Sequence, residues 1–336
     1  MLIGTALPQP FYMQTIEQLQ KLLETAIKNL KFPDQPKQLY DPITYIINLG
    51  GKRIRPLLVL MATELFGKDA INSIHAAMAI EVFHNFTLVH DDIMDNAPLR
   101  RGQATVHEKW STNTAILSGD VMMVEANKNL AKVNPIFLKD VLDTFNATAQ
   151  GVCEGQQLDM EFEQRDDVGI DEYINMIRLK TAVLLGGALK LGAIIAGASE
   201  KDADLIYQFG ENIGIAFQLQ DDILDVYADP EKFGKQVGGD IIANKKTFLL
   251  LKAFELANGE IKHTLKTWTD YREFDSKEKV EAVKGVYDAL GIQNIAKESM
   301  NNYLDKALKV FAQINVSENA KSNLLALTTQ LMAREY

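Results

Sequence analysis

The sequence predicts an all-α protein, a single-domain bundle of about ten or more helices spanning residues 1–336. Three observations carry this expectation. Apolar residues recur at helical spacing through nearly the whole chain, as at Ile16, Leu19, Leu23, Ile27 and Leu30. No strand-like alternation of useful length interrupts them. Breaks fall at short clusters of Gly, Pro, Asp and Ser, with no low-complexity linker and no repeat of roughly 20–50 residues.

Taken in order, residues 14–30 form an amphipathic helix. Residues 32–42 carry Pro33, Pro36 and Pro42 and read as a connection. A short helix over 45–49 ends at Gly50–Gly51. Lys52–Arg53–Ile54–Arg55–Pro56 then open a helix that runs to Phe66, with Pro56 in its first turn. Cations at a helix N-terminus oppose the macrodipole, and an anion held between them and the amides removes the conflict. The plainer alternative is three solvated basic residues in a loop.

A long helix over 70–94 carries His90–Asp91–Asp92–Ile93–Met94–Asp95 at its C-terminal end. Acids there also oppose the dipole, which points to a bound cation. Pro98 breaks the helix, and Leu99–Arg100–Arg101–Gly102 form a basic turn. Further helices cover 114–130, 137–163, 172–198 and 201–226, the last with Gln218 and Asp221–Asp222–Ile223–Leu224–Asp225. Residues 230–240 read either as a mobile glycine-rich lid over an anion or as a plain surface loop. Helical pattern resumes from Ile241, opened by Lys245–Lys246, with breaks near Gly259, Asp275, Gly291 and Ser317.

Composition narrows the classes. Of 336 residues, 47% are apolar and 24% charged, as in soluble globular proteins. A net charge of −10 argues against nucleic-acid or anionic-membrane partners. A lone cysteine, Cys153, excludes an intrachain disulfide, suits a reducing cytoplasm and reads as core filler. The N-terminus shows no signal-peptide pattern. The apolar run over 181–198 has Lys190 in its middle and reads as a buried helix, not a membrane span.

The chemistry lies in the two Asp-Asp-x-x-Asp motifs. In a helix, positions i, i+1 and i+4 fall within roughly 100° of one another, so each motif puts three carboxylates on one flank. Clustered carboxylates repel unless cations sit between them, and hard cations such as Mg²⁺ commonly recruit phosphate as a further ligand. One motif alone would read as a solvated acidic face; two favour metal. Guanidinium groups directly after the first motif suit a Mg²⁺–phosphate ligand. His84 lies two turns before Asp91 on the same face; His90 reads as a buried or supporting histidine, and His75, His107 and His263 as structural. Lys180, beside apolar surface, is weak evidence by itself. No phosphate loop, dinucleotide fingerprint or zinc spacing is present.

Together these residues resemble the trans-isoprenyl diphosphate synthases of the polyprenyl synthetase family. The resemblance rests on 50–56, 84–95, Arg100–Arg101–Gly102, Lys180–Thr181, 217–225 and 234–245. It implies helices around a deep central cavity, the isoprenoid synthase fold. It implies that Asp91, Asp92 and Asp95 in one wall and Asp221, Asp222 and Asp225 in another hold Mg²⁺, three ions per active site with substrate bound. It implies that Arg100, Lys180, Thr181, Gln218, Lys235 and Lys245 hold or activate the diphosphate of an allylic substrate. Lys52, Arg55, His84 and Arg101 match the pocket for isopentenyl diphosphate. A homodimer is implied as well.

In this family the residues four and five positions before the first motif, here Thr87 and Phe86, help to set product length. Phe86 lies roughly 7–8 Å below Asp91 along the helix. A single aromatic before a compact motif resembles geranylgeranyl diphosphate synthases (C20 product), with farnesyl diphosphate synthases (C15) as the alternative. Other readings stay open: a terpene cyclase, a non-catalytic partner subunit, or a Mg²⁺-dependent phosphohydrolase.

Overall fold

The structure, a computed structural model, describes residues 13–228, 237–271 and 273–333. The chain divides into two compact units. One comprises Met1–Thr144, Ala188–Ala203 and Asn315–Leu324; the other comprises Phe145–Gly187, Asp204–Ile314 and Leu325–Tyr336. The described residues are overwhelmingly helical, as the periodicity predicts.

In the first unit, α1 (Ile16–Lys28) starts at a capping box between Thr15 and Gln18 and buries Leu19 and Leu23. Helix α2 (Lys37–Asn48) corrects the expected connection over 32–42. Pro36 caps α2 from outside, but Pro42 lies within it, buried beside Ile43, Ile46 and Ile47. The proline forfeits one backbone bond, and burial of this apolar face outweighs the loss. Helix α3 (Ile54–Leu65) is a core helix, with every residue from Pro56 to Leu65 buried. Each large aliphatic side chain so buried contributes roughly 1.5–3 kcal/mol.

A 3₁₀ turn (Ala70–Ser73) leads into α4 (Ile74–Met94). The expected basic turn is a hairpin, β1 (Leu99–Arg100) against β2 (Gln103–Ala104). Its turn residues Arg101 and Gly102 have φ of 53° and 75°, the two left-handed positions of a type I′ turn. A single-turn helix α5 (Val106–Lys109) and the long α6 (Thr112–Leu130) follow.

The second unit takes most of α7 (Pro135–Glu163), then α8 (Ile170–Ile177). A π-helical segment, Arg178–Ala182, continues into α9 (Val183–Ala196), which from Ala188 on belongs to the first unit. Next come α10 (Glu200–Tyr227), α11 (Gly239–Ile242), α12 (Phe248–Leu256), α13 (Gly259–Asp270) and α14 (Ser276–Ala289). Helices α15 (Ile292–Ala312) and α16 (Glu318–Met332) complete the chain. The core of this unit includes Phe162, Tyr173, Leu219, Val226, Leu249, Tyr287 and Ile292.

Two further expectations change. Lys245 and Lys246 do not open a helix; they precede α12, whose N-cap is Thr247. Cys153 is exposed and not core filler. The 230–240 lid falls largely outside the described residues, of which Val237 and Gly238 lead into α11. The run Ile170–Ala196 is long and apolar enough to cross a membrane by composition, yet 72% of its most apolar window is buried in protein, as expected of a core helix.

Candidate functional site

The first unit gathers arginines around the end of α4. Arg53, the N-cap of α3, has a left-handed backbone (φ 48°). Its guanidinium pairs with buried Glu81 on α4 and donates to the Ile47 carbonyl. The protein's own acid therefore offsets part of the positive charge at this helix start. Arg55 Nη1 lies 3.2 Å from His84 Nε2. An arginine only donates, so this contact has His84 accept as a neutral ring. Burial, then Arg55 and its neighbouring arginines, hold the His84 imidazole well below its ordinary pKa.

The glycines before this cluster have a steric reason. Arg101 Nη1 donates to the Gly50 carbonyl. A Cβ on Gly51 would sit 2.8 Å from the Arg101 guanidinium, and the Gly51 φ of 133° also excludes ordinary side chains. Lys52 stands exposed beside them.

Within the first aspartate motif the three carboxylates differ. Asp92 is 1% exposed and receives the Arg100 guanidinium, with Nε at 2.8 and 2.9 Å and Nη2 at 2.6 Å. The cation that neutralises this aspartate is thus supplied by the hairpin. Asp91 is half-buried, and Asp95, exposed, is the C-cap of α4. Phe86 packs against Phe83 and, edge-on at 4.7 Å, against His90. Thr87 Oγ1 donates to its own helix, to the His84 carbonyl at 2.8 Å.

The second unit builds a polar cleft of about 220 Å³. It is lined by Asp159, Tyr173, Met176, Ile177, Lys180, Thr181, Gln218, Asp222, Asp240, Lys245, Lys246 and Thr247. Lys180 and Thr181 belong to the π-helical segment, a device frequent at functional sites. Two glycines admit it. A Cβ on Gly155 would lie 2.1 Å from the Lys180 amide nitrogen, and one on Gly214 would lie 2.5 Å from Ala182 Cα. Lys180 Nζ donates to Asp159 at 2.5 Å, and Thr181 Oγ1 donates to Gln218 Oε1 at 3.3 Å.

The buried middle aspartate of the second motif is held by neutral donors. Asp222 is 3% exposed and accepts from the Tyr173 hydroxyl, from Gln218 Nε2 at 3.2 Å and from the Phe248 amide at 3.4 Å. Burial pushes the Asp222 carboxyl up to about 7, against the pull of these hydrogen bonds. Asp221 and Asp225 are half-buried, and the Asp240 amide donates to Asp225 Oδ2 at 3.0 Å. Lys279, on α14, bonds the Ile242 carbonyl and Asn244 Oδ1, which fixes the turn preceding Lys245. Lys235 lies outside the described residues.

The sequence pattern gives no role to Asp159, Tyr173, Lys246 or Lys279, and places Asp240 only at the end of the 230–240 stretch. The glycines at 155 and 214 were the available signal for the π segment, but helical spacing alone gave no reason to pair them with Lys180.

The donor set fits Mg²⁺. Its ligands would be hard carboxylate oxygens, next to lysines able to hold phosphate oxygens. Among the described residues no three acidic, imidazole or thiol groups converge as a ready-made cage. Mg²⁺ commonly takes one or two carboxylates and completes its shell with water and substrate phosphate.

Comparison with known proteins agrees with this chemistry. The sequence profile of the family described as Polyprenyl synthetase matches residues 36–288. A geranylgeranyl pyrophosphate synthase of Geoglobus acetivorans is 36% identical over 326 residues, 96% of this chain and 99% of that one. A geranylgeranyl diphosphate synthase of Methanosarcina mazei is 41% identical over 235 residues, 69% of this chain and 72% of its own. A crystal structure of a geranylgeranyl pyrophosphate synthase superimposes with a TM-score of 0.92 at 46% identity, covering 96% of this chain and all of that one. With its two aspartate motifs, its arginine cluster and its lysine-lined cleft, this chain belongs to the polyprenyl synthetase family of trans-prenyltransferases.

Proposed function

We propose that this chain condenses isopentenyl diphosphate with an allylic diphosphate and releases the C20 product, geranylgeranyl diphosphate. The observation that supports this most is the polar cleft, where Lys180, Lys245 and Lys246 meet Thr181, Gln218 and the second aspartate motif. Its volume suits a diphosphate and its lysines carry the opposite charge. The relatives named for C20 synthesis support the product length.

In this reading residues 1–336 act as one catalytic domain. Asp91 and Asp95, with Asp221 and Asp225, would hold Mg²⁺, three ions when substrate is bound; Asp92 and Asp222, expected from the sequence as ligands too, are buried and paired with Arg100 and Tyr173 and would support the ligands from within the fold. The bound ions would neutralise the diphosphate as it departs. Lys180, Lys245 and Lys235, with Thr181, Gln218 and Arg100, hold that diphosphate, so negative charge develops against fixed positive groups. The allylic C–O bond breaks, and its electron pair leaves with the diphosphate. Lys52, Arg55, His84 and Arg101 orient isopentenyl diphosphate. Its double bond attacks the allylic cation, a new C–C bond forms, and the proton lost passes to the released diphosphate. Phe86, with Thr87 beside it, stops the growing chain.

A homodimer belongs to the same reading, supported by the exposed apolar residues Ile116, Leu117 and Val124 on α6. So does a cytoplasmic location, which the single cysteine suits.

The test supplies Mg²⁺, isopentenyl diphosphate and a series of allylic diphosphates, and measures product chain length. C20 is expected. A C15 end product would reassign the chain to farnesyl diphosphate synthesis. Folded protein that shows no elongation would sink the synthase reading in favour of a hydrolase or a non-catalytic subunit.

A further inference from the structure

Helices α4 and α6 pack together, and at Gly119 on α6 a glycine leaves room for a side chain of α4. A Cβ on Gly119 would lie 2.2 Å from His90 Nε2 and 2.6 Å from His90 Cδ2. The imidazole therefore occupies the place of the missing side chain. There Nε2 lies 3.2 Å from the Ile116 carbonyl, which can only accept, so the ring donates. The imidazole also meets Phe86, one turn earlier on α4, with ring centroids 4.7 Å apart and planes at 64°. Phe86 in turn touches Phe83, which is fully buried. The histidine is thus braced from α6 and in contact with the aromatic ring that precedes it on α4.

We infer that Gly119 and His90 are positioning residues for product length: the imidazole seated over Gly119 braces Phe86 and sets how far it closes the path of the growing chain. This rests on the reading of Phe86 as the stop. Neither residue touches substrate in this account. The packing has two consequences of opposite sign. Adding a methyl at 119 drives the imidazole toward Phe86 and shortens the product. Removing the imidazole takes away the brace and lengthens it.

The experiment uses the full chain with Mg²⁺, isopentenyl diphosphate and geranyl diphosphate, and reads the ratio of C15, C20 and C25 products. Gly119→Ala is expected to raise the C15:C20 ratio by about tenfold, and His90→Ala to raise the C25:C20 ratio by a similar factor. Combining Gly119→Ala with His90→Ala is expected to bring both ratios back toward those of the unaltered chain, because the methyl then fills the vacated space. A purely structural role would lower the melting temperature of each variant and leave the ratios alone. If Gly119→Ala does not fold, His90→Ala decides: longer products support the brace, an unchanged distribution overturns it. Phe86→Ala separates the two levels. If it lengthens products while His90→Ala and Gly119→Ala do not, the brace is wrong and the stop stands. If Phe86→Ala changes nothing, the stop itself is wrong.

Discussion

The two aspartate motifs have nearly the same sequence and are embedded in different chemistry. In the first unit the buried middle aspartate, Asp92, is met by a guanidinium, and the surrounding cations are arginines bonded to the fold: Arg53 to Glu81, Arg100 to Asp92, Arg101 to Gly50. In the second unit the buried middle aspartate, Asp222, is met by a phenol, an amide side chain and a backbone N–H, and the cations are lysines. Arginine presents a rigid planar fork, whereas lysine is a point charge on a flexible stem. The first arrangement suits holding a ligand in one orientation. The second suits following charge as it moves onto a leaving group. In the proposed function the same three-carboxylate spacing thus serves two tasks, set by its neighbours.

The largest expected effects lie where the two regions are alike. Asp91→Ala and Asp221→Ala should each lower kcat by about 10³-fold or more, the scale on which electrostatic stabilisation of a departing group acts. Loss of activity in one with full activity in the other would break the symmetry of the outer aspartates.

The next effect separates the regions by stability. Arg100→Ala leaves Asp92 buried without its cation and should cost about 3 kcal/mol in denaturant unfolding. Tyr173→Phe removes one neutral donor from Asp222 and should cost about 1–2 kcal/mol. Equal losses would mean that the charge of the partner is irrelevant. A third pair concerns glycines. Gly155→Ala cannot coexist with the Lys180 backbone where it stands and should lower kcat by about 10²-fold with a small change in KM. Gly51→Ala displaces the Arg101 guanidinium and should chiefly raise KM for isopentenyl diphosphate. Steady-state kinetics with each substrate varied in turn would show whether these signatures exchange.

The smallest effect is the pH dependence of His84. Its imidazole stays neutral in the folded protein below the ordinary histidine pKa, while the unfolded chain takes up a proton near 6.5. Stability should therefore fall as pH drops below about 6.5, by at most roughly 1.4 kcal/mol per pH unit. His84→Gln should flatten that slope in melting curves taken across the window, and an unchanged slope would assign it to other groups.

Much of the fold was legible because burial follows helical spacing directly. The stripe of α1, the core run of α3 and the motif-bearing ends of α4 and α10 all stand where apolar periodicity places them. Helix α2 was hidden because proline is a strong local signal, and the burial that overrides it around Pro42 is a tertiary fact. At the site, residue types marked the carboxylates and the cations. What they could not give was pairing: that Arg100 turns back onto Asp92, that Tyr173 reaches Asp222, or that Gly155 lets Lys180 leave the α-helical register. Those pairings depend on side chains brought together from distant parts of the chain, or on a turn whose geometry local spacing does not specify.

The division of labour is tested most directly by observing C–O cleavage alone. Positional isotope exchange in an allylic diphosphate, with Mg²⁺ and without isopentenyl diphosphate, isolates that step. Arg101→Ala is expected to retain exchange at the rate of the unaltered chain, whereas Lys245→Ala is expected to lose it. Equal loss in both variants would contradict the assignment of Arg101 to the second substrate.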